Sequence, residues 1–484
     1  MDRVLCGIET EYGLWIEGRG PEDQIEDSAE LVRSYPNPCF VGWDYRFESP
    51  RQDMRGFSVD HLAVDPEDMK FDAGKAHPPA NVLRADRIVP NGARLYNDHG
   101  HPEYATGEHF SVGAAAIEDH FGESVIWAAA QAYAGRTGLN VKVYKNNTDF
   151  HGASYGTHES YLVPRSLDFG TLYHAVTPML IARQILTGAG KVGHEHGQKA
   201  DFQISQRADF FSEPANVETL FRRPVFNTRD EPHADPAVWR RLHVISGDAN
   251  RMPLCTRRKL FLVQLALKLA MIGEAPKWLM PDPVRSFESI SKDATYAFRI
   301  DLEGNWTTAY DLIESYLAAG QALDLINPDE QEIVDECRLL LQCLRSDFSQ
   351  FSRQVDWAAK KALVEMYRED ENLKWGDPAL QAVDLAYADI DPEEGLYEAL
   401  LQSDEIDATS FEQATQTSRA LARGIAVEKF SAHLKSACWR SLTFDIEGQT
   451  RTVELWPDIE YPATLSAARD VNEFISLLEG IRPQ

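Results

Sequence analysis

Glu9 and Glu11 stand two residues apart in GIETEYG (7–13). In an extended chain that spacing puts both carboxylates on one face. Two buried carboxylates side by side repel, so such a pair needs a cation. A hard ion such as Mg²⁺ takes carboxylate oxygen and bridges substrate phosphates. An E-x-E pair is more commonly a solvated strand face, and its meaning depends on its company. NGARLYNDHGHPEY (91–104) packs Arg94, Tyr96, Asp98, His99, His101 and Glu103 into one strand end and turn without a lysine. There Asp98 suits a general base or nucleophile and Glu103 a metal ligand, against the alternative of a polar turn. YKNNTDFHGASYGTHESYLVPR (144–165) joins Gly152 and Gly156 to His158-Glu159. Its glycines either cradle phosphate or close an ordinary hairpin, and no Gly-Lys-Ser/Thr makes it a Walker loop. NTRDEPHADPAVWRRLHVISGDAN (227–250) brings Arg229, His233, Arg241 and His243, shortly after Gln206-Arg207. Guanidiniums suit phosphate oxygens, and His243 can complete a metal shell. Together the clusters describe a Mg²⁺-dependent nucleotide enzyme with its reaction undefined.

Other chemistries find little support. No serine-nucleophile elbow is expected, no H-E-x-x-H occurs, and His194-Glu195-His196 lacks the i,i+4 spacing of a helical zinc site. The six cysteines (Cys6, Cys39, Cys255, Cys337, Cys343, Cys438) show no C-x-x-C and read as small buried hydrophobes. The longest apolar stretch, Leu260 to Ile272, is broken by Gln264 and Lys268 and is too short to span a bilayer. With no apolar leader at the N-terminus, a soluble, cytoplasmic protein is expected. Its 76 Asp+Glu against 48 Lys+Arg give a net charge of −28, which makes nucleic acid and anionic membrane poor partners.

Elements must position these residues. Over 4–14 a period of two sets Val4, Cys6, Ile8, Tyr12 and Leu14 against Glu9 and Glu11, which predicts one strand. Asn91–Asp98 reads as a second strand with Arg94, Tyr96 and Asp98 on one face, and 140–146 as a third. Residues 15–90 are irregular, and Asp65–Pro79 has little to bury. Helical patterns fall near 114–136, 171–187, 258–272, 308–320, 330–347 and 353–369. Residues 371–412 are acidic and mixed, suited to a linker or a surface wrap. A helix (420–436), a β pair (441–446 and 450–455) and a last helix (464–479) then suffice for a small α+β domain. Strands early and helices later make the fold class α+β.

GIETEYG (7–13), NGARLY-x-D-x-x-HPEY (91–104), YKNN-x-D-x-x-GASYG-x-HE-x-YL (144–162), QR-x-D (206–209) and NTRDEPHAD…RRLHV-x-x-GDAN (227–250) resemble the Pup ligase/deamidase family, relatives of glutamine synthetase and carboxylate-amine ligases. The resemblance is dense to about residue 300 and looser beyond. It implies a large catalytic domain over 1–415, a curved antiparallel sheet backed by helices, with a long loop at about 43–88. A small C-terminal α+β domain over 416–484 completes the chain. Asp98 then matches the essential aspartate, and Glu9, Tyr96, Glu103, His158 and His243 match metal positions. Arg94, Thr106 and Trp439 match nucleotide contacts, and Glu11, Arg207 and Arg229 fall near the phosphates. The implied cofactors are ATP and Mg²⁺. The implied partners are Pup, a disordered acidic modifier whose C-terminal Glu or Gln enters along a groove, and pupylated proteins.

Within that resemblance the deamidase/depupylase branch is favoured. Trp43-Asp44-Tyr45, Glu48-Ser49-Pro50 and Asp53…Arg55-Gly56-Phe57 look like the lead into a loop that the ligases lack, with 58–88 as the loop. The interval from Asp98 to Glu103 is one residue shorter than in the ligases, and His99 and GASYG are also deamidase-like. Ile8, Thr10 and Ala105-Thr106 look like the ligase. The expected reaction is hydrolysis of Pup's C-terminal glutamine amide and of the Pup–lysine isopeptide, with nucleotide as a cofactor that is not consumed. The alternatives are Pup–protein ligation with ATP hydrolysis, or a small-molecule carboxylate-amine ligase. An acidic modifier on an acidic enzyme calls for local positive potential, for which Arg222-Arg223, Arg240-Arg241 and Arg257-Arg258-Lys259 are candidates.

Overall fold

A computed structural model describes residues 3–63, 79–150, 154–196, 198–409 and 416–483. Much of the expected 58–88 loop, and Gly152, lie outside the described residues. Six strands form the principal sheet: β1 (Cys6–Glu11), β2 (Arg87–Ile88), β3 (Arg94–Asp98), β4 (His101–Ala105), β5 (Thr157–Pro164) and β6 (Trp239–Val244). Their order is β6-β5-β1-β4-β3-β2, antiparallel throughout. Alternation sorts the sheet into two faces. Cys6, Ile8, Tyr161, Val163, Leu242 and Val244 point back into the main apolar core, which helices Phe169–Ala182 and Pro253–Met271 complete. The polar residues of the sequence clusters point forward.

Helix Pro253–Met271 is buried nearly all round, so its polar side chains need internal partners. Arg257 pairs with Glu336, Lys259 donates to Asp248 O (2.7 Å) and Lys268 pairs with Glu330 (2.6 Å). Arg257-Arg258-Lys259 therefore braces the core and offers no surface to an acidic tail. Arg240 donates to Leu167 O (2.9 Å), Arg241 faces the polar front, and Arg222 is exposed.

Two predicted elements divide. The first strand ends at Glu11, and Gly13–Ile16 turns aside to pair with Val141–Tyr144 in a separate ribbon. The Tyr155 hydroxyl occupies the place a side chain at Gly13 would need, so the chain bends where only glycine fits. The helix predicted over 420–436 stops at Phe430, and Leu434–Ala437 becomes an edge strand beside Ser441–Ile446. Residues 371–409 hold helices Pro378–Ala388 and Leu396–Gln402 and wrap the large unit, where Arg251 meets Glu398 (3.1 Å).

Residues 419–478 share an apolar cluster with Trp43, Ile88, Tyr96 and Ala105, which docks the C-terminal elements on the β2–β4 side of the sheet. Gly92 (φ +85°) and Gly424 allow this approach, since a Cβ at either would strike a facing backbone carbonyl. A buried charge triad locks it: Glu108 pairs with Arg419 (2.6 Å) and Arg423 (2.5 Å). Burial alone would raise the Glu108 carboxyl, but Arg423 and Arg419 outweigh it and hold it down to about 2. This contribution is present above the ordinary carboxylate value of 4.5 and is lost as pH falls through about 2. Glu108→Gln leaves two arginines uncompensated and should cost about 3 kcal/mol in chemical denaturation near neutral pH. The gap between wild type and variant should close as the pH is lowered from 4.5 toward 2.

Candidate active site

The β3–β4 hairpin turns on His99-Gly100 alone, with φ +47° and +95°. These are the signs a type I′ turn requires, and this turn matches the twist of the flanking strands. Asp98 is thereby set opposite His101, Tyr96 opposite Glu103 and Arg94 opposite Ala105. On the other side of β4, Glu11 faces Glu103 and Glu9 faces Ala105, while across β5 Glu9 faces His158. Directly opposed residues share a face, so one polar surface collects side chains separated by up to 234 positions in sequence. Two groups stand out. Ligand atoms of Glu11, Asp98 and Glu103 lie within 4.8 Å of one another, as do those of Glu9, His158 and His243.

The charges in the first group are unbalanced. Burial pushes the Glu103 carboxyl well above its usual range, and Asp98, Glu11 and Glu9 push it further. Tyr96 donates to Glu103, and Gly156 N donates to the Glu11 carboxylate. Asp98 behaves differently. Burial opposes its charge, but His99, 3.0 Å away, holds the carboxyl well below the ordinary range. Asp98 in turn raises His99 to about 9, although that imidazole is 58% exposed and water weakens the pairing.

In the second group, burial disfavours the Glu9 carboxylate, yet Arg241 (3.5 Å) and His158 (3.7 Å) bring it down to about 2. Burial, with Arg241 and His158 beside it, keeps His243 well below its normal value and so neutral, the state in which imidazole binds metals. Its Nδ1 lies 3.3 Å from Asn227 Oδ1, while its buried Nε2 has no hydrogen-bond partner and stands 3.9 Å from Glu9. An orphaned imidazole nitrogen beside a carboxylate and a second imidazole fits a divalent cation. Glu11, Asp98 and Glu103 offer oxygen alone, the preference of Mg²⁺.

Beside Glu9 opens a cavity lined by Thr106, Trp439, His233, Arg241 and Arg419 among others. Thr106 Oγ1 accepts from Ile8 N (3.0 Å). Trp439 is held by the C-terminal elements, with Arg423 4.7 Å over its ring. Arg94 does not line the cavity. Its guanidinium pairs with Asp86 (2.5 Å) and lies between the rings of Trp43 (4.2 Å) and Tyr96 (4.0 Å). Arg207 is buried and Arg229 half-buried; they donate to Tyr155 O (2.8 Å) and Thr219 Oγ1 (3.0 Å), and among the described residues neither makes an ion pair. Burial, then Arg223 nearby, brings Arg207 down to about 9. The letters of GASYG (152–156) fit G-x-S-x-G, but Ser154 precedes a strand and no helix follows, so no nucleophile elbow forms. Gly156 has another use: a side chain there would collide with His158.

Four contributing residues carry no role in the sequence pattern. Asn227 orients His243, and it is the first residue of the NTRDEPHAD run. Asp86 and Glu48 hold Arg94, which no local pattern announces. Glu108 answers Arg419 and Arg423, whose i,i+4 spacing on one helix face was the available signal.

A family model described as Pup-ligase protein matches residues 4–443. The chain belongs to the Pup-ligase family. It is 38% identical over 474 residues to the Depupylase of Acidothermus cellulolyticus, covering 93% of this chain and 92% of that one. The Pup deamidase/depupylase of Mycobacterium tuberculosis is 36% identical over the same shares. A Pup–protein ligase of Renibacterium salmoninarum is 33% identical over 88% of this chain and 87% of its own. Among solved structures, the complex between the prokaryotic ubiquitin-like protein Pup and its ligase PafA superposes with a TM-score of 0.77 at 27% identity, covering 99% of this chain and 92% of that chain. The Pup ligase PafA in complex with ADP gives a TM-score of 0.71 at 27% identity, over 88% and 95%. The family fold is thus a large antiparallel sheet backed by helices. Among the described residues no helix is long and apolar enough to cross a membrane.

Crowded carboxylates give a direct test. Mg²⁺ should raise the thermal midpoint of this Pup-ligase family member, by about 2.7 kcal/mol of stability at a hundredfold excess over Kd. Glu103→Gln should match or exceed wild-type stability without the ion and lose the part of the Mg²⁺-dependent gain that its own group supplies, as scanning calorimetry would show.

Proposed function

We propose that this chain is an ATP- and Mg²⁺-dependent hydrolase of Pup, removing the side-chain amide of its C-terminal glutamine and cleaving the isopeptide bond to a target lysine. The observation that carries the reading is the two-residue His99-Gly100 turn, which gives the shorter Asp98–Glu103 interval of the deamidase branch. The 38% identity to a Depupylase over 93% of the chain supports it. The ligase-like features, Ile8, Thr10 and Ala105-Thr106, are single side chains and carry less weight than a difference in loop and spacing.

The residues divide the work. Asp98, kept ionised by His99, either attacks the amide carbonyl or takes the proton of the attacking water. The carbon–nitrogen bond breaks, water supplies the oxygen of the new carboxylate, and ammonia or the lysine amine leaves with a proton. Glu9, His158 and His243, and Glu11 with Glu103, would hold divalent ions, with Tyr96 orienting Glu103. Bound metal and nucleotide would supply polarisation of the scissile carbonyl. Thr106 and Trp439 line the proposed nucleotide seat, while Arg207 and Arg229 would take phosphate oxygens. Arg94 supports that seat through Trp43 and makes no direct contact. Residues 1–415 would form the catalytic unit and 416–484 the smaller one that carries Trp439.

Ligation is the second reading, favoured by Ala105-Thr106 and by the identity to a Pup–protein ligase. Mass spectrometry of Gln-terminated Pup and of a Pup–protein conjugate, each with enzyme, Mg²⁺ and ATP, separates the two. Exchange of amide NH₂ for OH with release of free target is expected, and Asp98→Asn should be silent. New conjugates from Glu-terminated Pup without hydrolysis would establish the ligase instead.

A further inference from the structure

Trp43 lies outside the cavity lining, yet it connects two parts of the site. Its ring meets Trp439 edge-on, with centroids 4.9 Å apart and planes at 73°. Arg94 covers it at 4.2 Å and also stacks at 4.0 Å on Tyr96, which donates to Glu103. With Arg423 over Trp439 at 4.7 Å, rings and guanidiniums form one continuous ladder: Tyr96, Arg94, Trp43, Trp439, Arg423. It runs from the carboxylate cluster to the cavity wall.

The members have little freedom. The Trp43 indole N–H donates to Glu48 Oε1 (2.8 Å), which fixes the ring about its own axis. Its backbone is clamped to the strand that leads into Trp439: Asp44 N donates to Ala437 O (2.9 Å) and Ala437 N to Gly42 O (3.0 Å). Arg94 is anchored by Asp86, so it cannot swing away from the two rings it separates. Edge-to-face aromatic pairs and cation–π contacts are directional, so removing the middle ring frees the rings on both sides.

We propose that Trp43 is a positioning residue: it orients the Trp439 ring at the cavity and, through Arg94, the Tyr96 hydroxyl at Glu103. This rests on the reading that seats nucleotide against Trp439. The test is a double-mutant cycle on ADP affinity by calorimetry in the full-length chain with Mg²⁺, using Trp43→Ala, Trp43→Phe, Trp439→Ala and the Trp43→Ala/Trp439→Ala pair. Thermal midpoints are measured alongside. Trp43→Ala should weaken ADP binding about three- to tenfold, the range of an aromatic pair. Trp43→Phe, which keeps a ring edge, should recover most of it. In the Trp439→Ala background Trp43→Ala should have almost no further effect, a non-additivity that general loosening would not produce. Additive effects, or wild-type affinity in both Trp43 variants while Trp439→Ala loses ADP, would overturn the positioning role and leave the nucleotide seat standing. Retained ADP affinity in Trp439→Ala would overturn the seat and the proposal with it.

Discussion

Everything on the front of the sheet answers to the mutual repulsion of carboxylates. Glu9, Glu11, Asp98 and Glu103 come together because antiparallel register leaves them nowhere else to point. Each is then handled differently: His99 accompanies Asp98, Arg241 and His158 accompany Glu9, a backbone N–H meets Glu11, and Glu103 is left to burial and its neighbours. Burial and the neighbouring carboxylates push Glu103 toward its protonated form, so the fold stands without an ion, and a cation bound there would add stability.

Backbone geometry does the fine positioning. His99-Gly100 fixes the distance along the chain between Asp98 and Glu103. Gly156 clears room for His158, and Gly92 with Gly424 lets the C-terminal elements approach closely enough for Trp439 to form the cavity wall. Residues 43–48 are structural, since Trp43 packs in the cluster that holds Tyr96 and Trp439, and Glu48 pairs with Arg94.

Much of this was legible in the sequence wherever function and strand alternation coincide. The shared face of Glu9 and Glu11, and of Arg94, Tyr96 and Asp98, follows from a period of two, and both hold in the register. The break at Gly13 was not legible, because the atom that forces it belongs to Tyr155, far along the chain. Nor was the true setting of Arg94, whose partners Trp43, Glu48 and Asp86 come from an irregular stretch without periodicity. Arg257-Arg258-Lys259 looked like a surface patch since composition cannot reveal that a helix is buried on every side. The strand at Leu434–Ala437 was hidden by helix-compatible residues that tertiary pairing overrides.

The central claim is that two groups of side chains on one sheet face are built to hold divalent ions. Anomalous scattering from Mn²⁺-loaded crystals measures this most directly. The account predicts one peak among Glu9, His158 and His243 and another at Glu11 and Glu103, beside Asp98, with the first lost in His243→Ala. Crystals saturated with Mn²⁺ that show no density at either group would contradict it.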